Sequence, residues 1–315
     1  MDVFLDVLDT FVFDRLYAAV LPAPDTVAGD TGSRSGSGSQ KTYNQHIGVY
    51  MPLQPSQYVD ASIWKRDDIV RQTMSLFLVA WVFALIMYLV GSLIVYHTMF
   101  DKRLLRHPHF LPNQIRREIQ QGVTAIPVIA ILTAPFFLAE LHGWSKLYDF
   151  SSEAPFPAYT WLQYPLFVCF TDCGIYWIHR WLHIPVVYRW LHKPHHKWVV
   201  PTPFASYAFH PVDGWSQSLP YHVFPFLFPL QKSAYIGLFA FVTLWTVLIH
   251  DAEYVSKSVI VNGSACHTMH HLYFNYNYGQ FMTLWDRLGG TYRTPKEDGF
   301  LQNENLRAQN MKKHE

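Results

Sequence analysis

The chain is predicted to be an all-α integral membrane protein with about four transmembrane helices, the last part a proline-broken hairpin, and a cytosolic helical cap. Three observations predict it. Long apolar runs, most of them free of charge, recur along the sequence. Charged residues make up 15%, against 50% hydrophobic and 17% aromatic, where a globular domain usually carries about 25% charged. Histidines gather at helical spacing just beyond the ends of apolar runs. The 11 Trp and 19 Tyr suit two membrane interfaces, where such rings collect. A net charge of +1 argues against a nucleic-acid partner. Three cysteines make no disulfide framework; Cys169 and Cys173, inside an apolar run, read as small buried thiols.

The elements follow in order. Residues 2–20 place apolar residues at helical spacing among several acids, which predicts a short amphipathic helix on a membrane or on the body of the protein. The acids in its first turns are unlike the basic start of a signal peptide. Residues 29–40 read as a Gly/Ser linker. Residues 72–96 carry no charge, enough to span about 30 Å of hydrocarbon. Residues 122–139 form a second run, which Pro127 and Pro135 should bend. Residues 159–178 form a third. The fourth, 219–249, is interrupted by Pro225, Pro229, Gln231 and Lys232. A hairpin there keeps every histidine cluster in one compartment, whereas a single span would split them. The loop after the first span holds Lys102, Arg103, Arg106, Arg116 and Arg117, which predicts a cytosolic face. Lys65, Arg66 and Arg71 oppose a lumenal N-terminus. The sequon at Asn262 is expected to stay unmodified, and Lys312-Lys313 resembles a dilysine retrieval signal.

Three clusters carry the chemistry: His179 and His183; His192, His195 and His196; His267, His270 and His271. Residues at i, i+3 and i+4 share a helix face. Eight imidazoles are too many for one tetrahedral zinc and suit a histidine-rich dimetal site. Chance clustering explains one such pair but not three within about 90 residues. Pro194 leaves the middle cluster's geometry less regular. His250, directly after the fourth run, is a further ligand candidate. His210 is either an additional ligand or structural, and His222 reads as a hydrogen-bonded core residue. Ligating histidines donate their second ring N–H to an acceptor, and Asp172, Asp213, Asp251 and Glu253 are the candidate acceptors, with Asp286 reading equally as a helix cap. Imidazoles with few carboxylates suit a strongly oxidising metal, and a site at the membrane surface admits a lipid from the bilayer. Together these point to O2-dependent oxidation of a lipid.

The order and spacing of the clusters resemble the fatty acid hydroxylase superfamily of membrane non-haem di-iron enzymes. Within it, NGSACHTMHHLYFNYNYGQFMTLWDRLGGTYR is similar to the C-terminal box of sterol C-5 desaturases, also called lathosterol oxidases. FASYAFHPVDGWSQSLPYHVFPFLFPL is similar to their middle segment, and HRWLHIPVVYRWLHKPHHKW to their first two boxes. The likeness covers about residues 160–295, and the linker and N-terminal extension suggest a fungal member. It implies desaturation at C-5(6) of a Δ7-sterol of the lathosterol or episterol type, in ergosterol or cholesterol biosynthesis. It implies two Fe ions, with zinc as a substitute that overproduction can introduce. O2 is co-substrate, and electrons come from NAD(P)H through cytochrome b5 and its reductase. The implied location is the endoplasmic reticulum membrane, multi-pass, with the active site facing the cytosol and sterol entering from the bilayer. The implied ligands are His179, His183, His192, His195, His196, His267, His270 and His271, with His250 and His210 as further histidines of the pattern.

On this reading residues 1–60 form an amphipathic segment and linker, and 61–158 the first two membrane helices with the basic loop. Residues 159–295 form the catalytic domain, and 296–315 a polar tail. Trp177, Trp181, Phe204, Tyr207, Phe209 and Trp215 are candidates to hold sterol rings or simply to pack. Two alternatives stay open. One is a sister activity, a sterol C-4 methyl oxidase or another membrane lipid hydroxylase. The other is a membrane metal-binding or transport protein.

Overall fold

The computed structural model describes residues 1–24, 42–54, 56–251 and 258–295. Glu253, the linker at 29–40, the C-terminal tail and the dilysine pair lie outside them. Helix α1 (Asp2–Leu8) continues through a π-helical turn, Asp9–Phe13, into α2 (Asp14–Val20). After the short α3 (Ile47–Tyr50) come the long helices α4 (Ile69–Thr98) and α5 (Gln114–Leu141). Helix α6 (Tyr159–Leu182) leads to the short α7 (Pro185–Val187) and α8 (Lys193–His196). Helices α9 (Pro211–Leu227) and α10 (Lys232–Leu248) precede α11 (Ser264–Tyr273) and α12 (Leu284–Leu288).

Local chemistry sets these boundaries. The Asp68 carboxylate accepts from the Val70 and Arg71 amides and starts α4. Asn113, at φ 54°, turns the chain into α5. Pro127 and Pro135 lie within α5, and the helix runs continuously through both. Among the described residues two helices, α4 and α5, are long and apolar enough to cross a membrane. The other two expected spans differ for a physical reason. Helix α6 has 24 residues but carries Gln163, Thr171, Asp172, His179 and Arg180. The fourth run is divided into two helices of 17 residues each, about 25 Å apiece.

Those two helices form the expected hairpin. Strand β1 (Leu147–Tyr148), in the α5–α6 connection, pairs in parallel with β2 (Leu230–Gln231), at the hairpin turn. Lys146 N donates to Pro225 O at 2.7 Å beside it. Helix α9 therefore leaves the histidine region, turns where α5 ends, and α10 returns to His250. The opposite end is tied by polar bonds from the α4 and α5 termini to the segment after α8. Ser92 Oγ donates to Pro203 O, Tyr88 to Phe204 O, and Gln114 to Val200 O. Close helix packing relies on small residues: a Cβ on Gly174 of α6 would meet Pro220 Cγ of α9 at 2.6 Å.

The N-terminal helix does lie on the body, and the face it buries holds acids as well as Leu5, Phe13 and Tyr17. Asp6, Asp9 and Asp14 are fully buried, while Phe11 and Val20 are about two-thirds exposed, at 67% and 66%. The acids face inward because arginines await them. Arg71 Nη2 bonds Asp9 Oδ1 at 2.9 Å and also Asp14, and Arg66 Nη2 bonds Asp14 Oδ2 at 2.6 Å. Tyr43 donates to Asp9 at 2.7 Å. The thiols also differ from expectation: Cys169 is exposed and Cys173 half-buried, on the outer face of α6. At the sequon, Asn262 is buried and its amide donates to Gly279 O, so it is occupied within the fold. Removing one partner of a buried ion network leaves its counter-charge stranded, at about 3–5 kcal/mol. Arg71→Leu should therefore lower the thermal unfolding midpoint of detergent-solubilised protein markedly; an unchanged midpoint would contradict this description.

Candidate metal centre

The histidines converge into two adjoining pockets. One gathers His179 and His183 from the end of α6, His192 and His196 from the turn and helix around α8, and His270 from α11. The other gathers His195, His250, His267 and His271. Within each pocket the candidate ligand atoms lie within 4.8 Å of one another. All nine residues are buried except His183, which is half-buried.

Helical geometry explains how three clusters make two pockets. Successive helical residues are rotated by about 100°, so His195 and His196 of α8 face different pockets. On α11, His267 and His271 are one turn apart and point into the second pocket, while His270 is rotated from both and reaches the first. The pockets share a wall: the His196 and His271 rings are 4.8 Å apart.

The outward nitrogens fix the tautomers. His179 Nδ1 donates to Tyr278 O at 2.9 Å, His270 Nδ1 to Tyr276 O at 2.8 Å, and His250 Nδ1 to Thr246 O at 2.6 Å. His192 Nδ1 donates to Asp213 Oδ2 at 2.7 Å, and His195 Nδ1 faces Ala208 O at 3.4 Å. A carbonyl or carboxylate only accepts, so each of these Nδ1 atoms carries the proton and each Nε2 is a bare lone pair. Those lone pairs then point at one another. His192 Nε2 lies 3.1 Å from the Nε2 atoms of both His179 and His196, and His196 Nε2 lies 3.0 Å from that of His270. In the second pocket the His250–His267 and His267–His271 Nε2 separations are 3.0 and 3.1 Å.

Where both partners commit their protons outward, as His179 and His192 do, such nitrogens repel unless a cation sits between them. Two nitrogens at right angles, each about 2.1 Å from one ion, are about 3.0 Å apart. The donor set therefore fits a pair of metal ions, and its neutral imidazoles suit iron, zinc or copper equally.

The predicted outer partners divide. Asp213 bonds a cluster histidine directly. Asp172 meets none: His179 uses the Tyr278 carbonyl, and Asp172 instead accepts from the backbone amides of Gln280, Phe281 and Met282 at 2.9, 2.7 and 3.2 Å. Asp286 likewise accepts from the Tyr278 and Gly279 amides, both at 2.8 Å. These two acids hold the loop whose carbonyl orients His179, so their influence arrives one step removed. Gly279 is required there, because a Cβ would meet Met282 O at 2.7 Å and the Asp286 carboxylate at 2.9 Å. Asp251 is buried. His210 is not in either pocket; its Nδ1 accepts from Val212 N at 3.3 Å and caps α9. His222 is buried, yet its Nδ1 has no hydrogen-bond partner among the described residues, and it sits among Phe136, Phe137, Tyr221 and Phe239. The orienting backbone carbonyls were missed by sequence reasoning, since nothing in a side-chain pattern marks them.

A cavity of about 350 Å³ runs from the second pocket between α4, α5, α9 and α10. His179, His195, His250 and His267 form its end wall, and Phe83, Ile129, Tyr221 and Phe239 are among its sides. Of the six predicted aromatic contacts, Tyr207 and Phe209 line it. Trp177 and Trp181 point outward, at 57% and 48% exposure, because they lie on the face of α6 opposite His179. Phe204 packs on Tyr96. Gly214 lets the Phe209 ring lie against α9, where a Cβ would overlap it.

Burial, and next the neighbouring imidazoles, hold His195, His196, His267, His270 and His271 well below the ordinary imidazole range. Burial alone takes His250 down to about 4. Below about pH 6.5 the unfolded chain binds protons that the folded one refuses, so stability is full above that pH and falls as pH drops toward the folded values. The unfolding midpoint of metal-free protein should hold down to about pH 6.5 and decline from there to pH 5; a flat profile would contradict neutral rings in the fold. Partners that orient ligands typically contribute about 10- to 100-fold in metal affinity. Asp213→Asn should weaken iron retention by that factor in chelator competition, and unaltered retention would mean that the His192 bond does not support a metal.

Residues 164–291 match the fatty acid hydroxylase family. A Delta(7)-sterol 5(6)-desaturase of Aspergillus fumigatus is 60% identical over 306 residues, covering 97% of this chain and 90% of the relative. A probable Delta(7)-sterol 5(6)-desaturase of Neurospora crassa is 51% identical, covering 99% and 92% respectively. One from Candida albicans is 43% identical, covering 99% and 93%. No solved structure matches the chain.

Proposed function

For a chain that belongs to the family of fungal Delta(7)-sterol 5(6)-desaturases, as this one does, we propose O2-dependent introduction of the C-5(6) double bond into a Δ7-sterol. The observation that carries this reading is the position of the histidines at one end of an apolar cavity. A long lipid filling that cavity brings one end against the imidazole wall and leaves the rest among aliphatic and aromatic side chains.

The proposed ligands are His179, His183, His192, His196 and His270 for one iron, and His195, His250, His267 and His271 for the other. A bound iron pair supplies reductive activation of O2 and so the means to remove hydrogen from an unactivated carbon. The overall balance takes one sterol, one O2, two electrons and two protons to one 5,7-diene and two waters. The electrons are proposed to come from NAD(P)H through cytochrome b5 and its reductase. The chain's own part is geometric. Outward Nδ1 bonds keep the Nε2 atoms of His179, His192, His195, His250 and His270 aimed inward before an ion arrives, so little reorganisation is needed there. The Asp172 and Asp286 clamps hold the loop behind His179. Phe209, Tyr207 and the α5 wall exclude water from the space beside the imidazoles.

The proposed topology places α4, α5, α6 and the α9–α10 hairpin in the endoplasmic reticulum membrane, with the histidine end facing the cytosol. The basic loop supports it: Lys102, Arg103 and Arg106 follow α4, and Arg116 and Arg117 open α5, at the same end as the imidazoles. Arg66 and Arg71 no longer argue the other way, because buried aspartates neutralise them.

In cells lacking their own C-5 desaturase, this chain should restore the 5,7-diene sterol. His195→Ala and His270→Ala should abolish it, by more than about 100-fold, while both proteins still insert and accumulate in the membrane. A hydroxylated or C-4-demethylated product without diene would replace this reading by a sister activity, and full activity of either variant would remove that histidine from the iron shell.

A further inference from the structure

We propose that Gln217 positions the sterol by accepting a hydrogen bond from its 3-hydroxyl group, an inference that rests on the desaturation reading above. The chemistry of the substrate makes such a residue necessary. In a sterol, C-3 is two carbons from C-5, so the hydroxyl travels with the reacting carbon to the imidazole end of the cavity. There it leaves water, and a buried hydroxyl without a partner is disfavoured. The alkyl tail then extends away from the metal pockets, past Tyr221 and Phe239.

Few groups on that wall are free to receive the hydroxyl proton in a defined direction. Ser206, Ser218, Thr243 and Thr246 each donate to a carbonyl of their own segment, at 2.7, 2.6, 3.0 and 2.9 Å, and a hydroxyl oxygen is a broad acceptor. Two carboxamides remain on the wall, Gln217 and Gln280. Gln217 Nε2 donates to Asp213 Oδ1 at 2.7 Å. This bond to a buried carboxylate sets which end of the amide faces Asp213 and leaves Oε1 as the end available to the cavity that Gln217 lines. The second oxygen of Asp213 holds His192. The hydroxyl, Gln217, Asp213 and His192 thus form one chain, in which the substrate donates to Oε1 and both Gln217 and His192 donate to the carboxylate. Gln217 is also one turn beyond Asp213 on α9, a rigid element that fixes its position more closely than a loop would. Gln280 is bonded to Thr246, stands on the loop before α12 and has no such link to a cluster histidine.

The test compares a Δ7-sterol with its 3-deoxy analogue, using full-length iron-loaded enzyme supplied with cytochrome b5, its reductase and NADH. The wild type should favour the hydroxylated substrate by about 10- to 100-fold in kcat/KM, the range for leaving one buried hydrogen-bonding group unpaired. Gln217→Leu should collapse that ratio to within about threefold, by loss on the hydroxylated substrate alone, with iron content unchanged. Gln280→Leu should keep the wild-type ratio. The proposal is overturned if Gln217→Leu retains the preference, if Gln280→Leu loses it instead, or if Gln217→Leu loses iron and slows both substrates equally. A wild type that makes no diene from the hydroxylated sterol removes the desaturation reading itself, and the proposal with it.

Discussion

Mutual repulsion among imidazole lone pairs is the constraint on which the structure turns. Nine rings are packed so that their Nε2 atoms face inward, and several of their Nδ1 protons are committed to carbonyls and one carboxylate outside. Without a cation this arrangement is electrostatically unfavourable wherever both rings keep their Nδ1 protons outward, as His179 and His192 do. The surrounding fold exists to hold the rings in that arrangement. The tie between Asp172 and the 280–282 amides and the Asp286 clamp on Tyr278 and Gly279 restrict the loop whose carbonyls at Tyr278 and Tyr276 orient His179 and His270. This is preorganisation in the sense that matters for metal binding: the cost of ordering the ligands is met during folding.

The same helices that support the rings enclose the substrate space. Helices α9 and α10 leave from and return to the histidine region, so the cavity between them and α4 and α5 ends on the clustered imidazoles. Close contacts at Gly174 and Gly214 bring α6 and Phe209 against α9 and shape one side of that space. At the far end, the N-terminal helix is bound to α4 through buried ion pairs and to α4 and α5 through Leu5, Phe13 and Tyr17, while Phe11 and Val20 face outward. An outward side that carries Phe11, Val12, Leu16 and Val20 suits a lipid-facing position better than an aqueous one. Membrane attachment, the cavity and the metal pockets are thereby parts of one packed assembly.

Much of this was legible in the sequence, for identifiable reasons. The α4 and α5 spans announce themselves by uninterrupted apolar composition, and the hairpin by Pro225, Pro229, Gln231 and Lys232 within an apolar run. The histidine clusters are visible because helical spacing converts directly into a shared face. His250 was accessible from its place at the end of a run. The unread parts depend on tertiary placement. The tautomers are set by the carbonyls of Tyr276, Tyr278 and Thr246, and no residue pattern encodes a carbonyl's direction. Asp172 was noticed for the right reason, an acid at membrane depth, yet its partners are backbone amides more than 100 residues away. His210 read equally as a ligand or a structural residue, and it proves structural: it precedes a helix starting at Pro211 and serves as its cap. The inward acids of α1 and α2 could be understood only once Arg66 and Arg71 were seen beside them.

The most direct test of two nitrogen-lined metal pockets is iron K-edge X-ray absorption on purified protein, combined with the iron-to-protein ratio. The account predicts two irons per chain in a shell of light atoms near 2.1 Å, with the outer scattering characteristic of several imidazoles on each. One iron per chain, or two whose shells are dominated by carboxylate or sulfur, would contradict it.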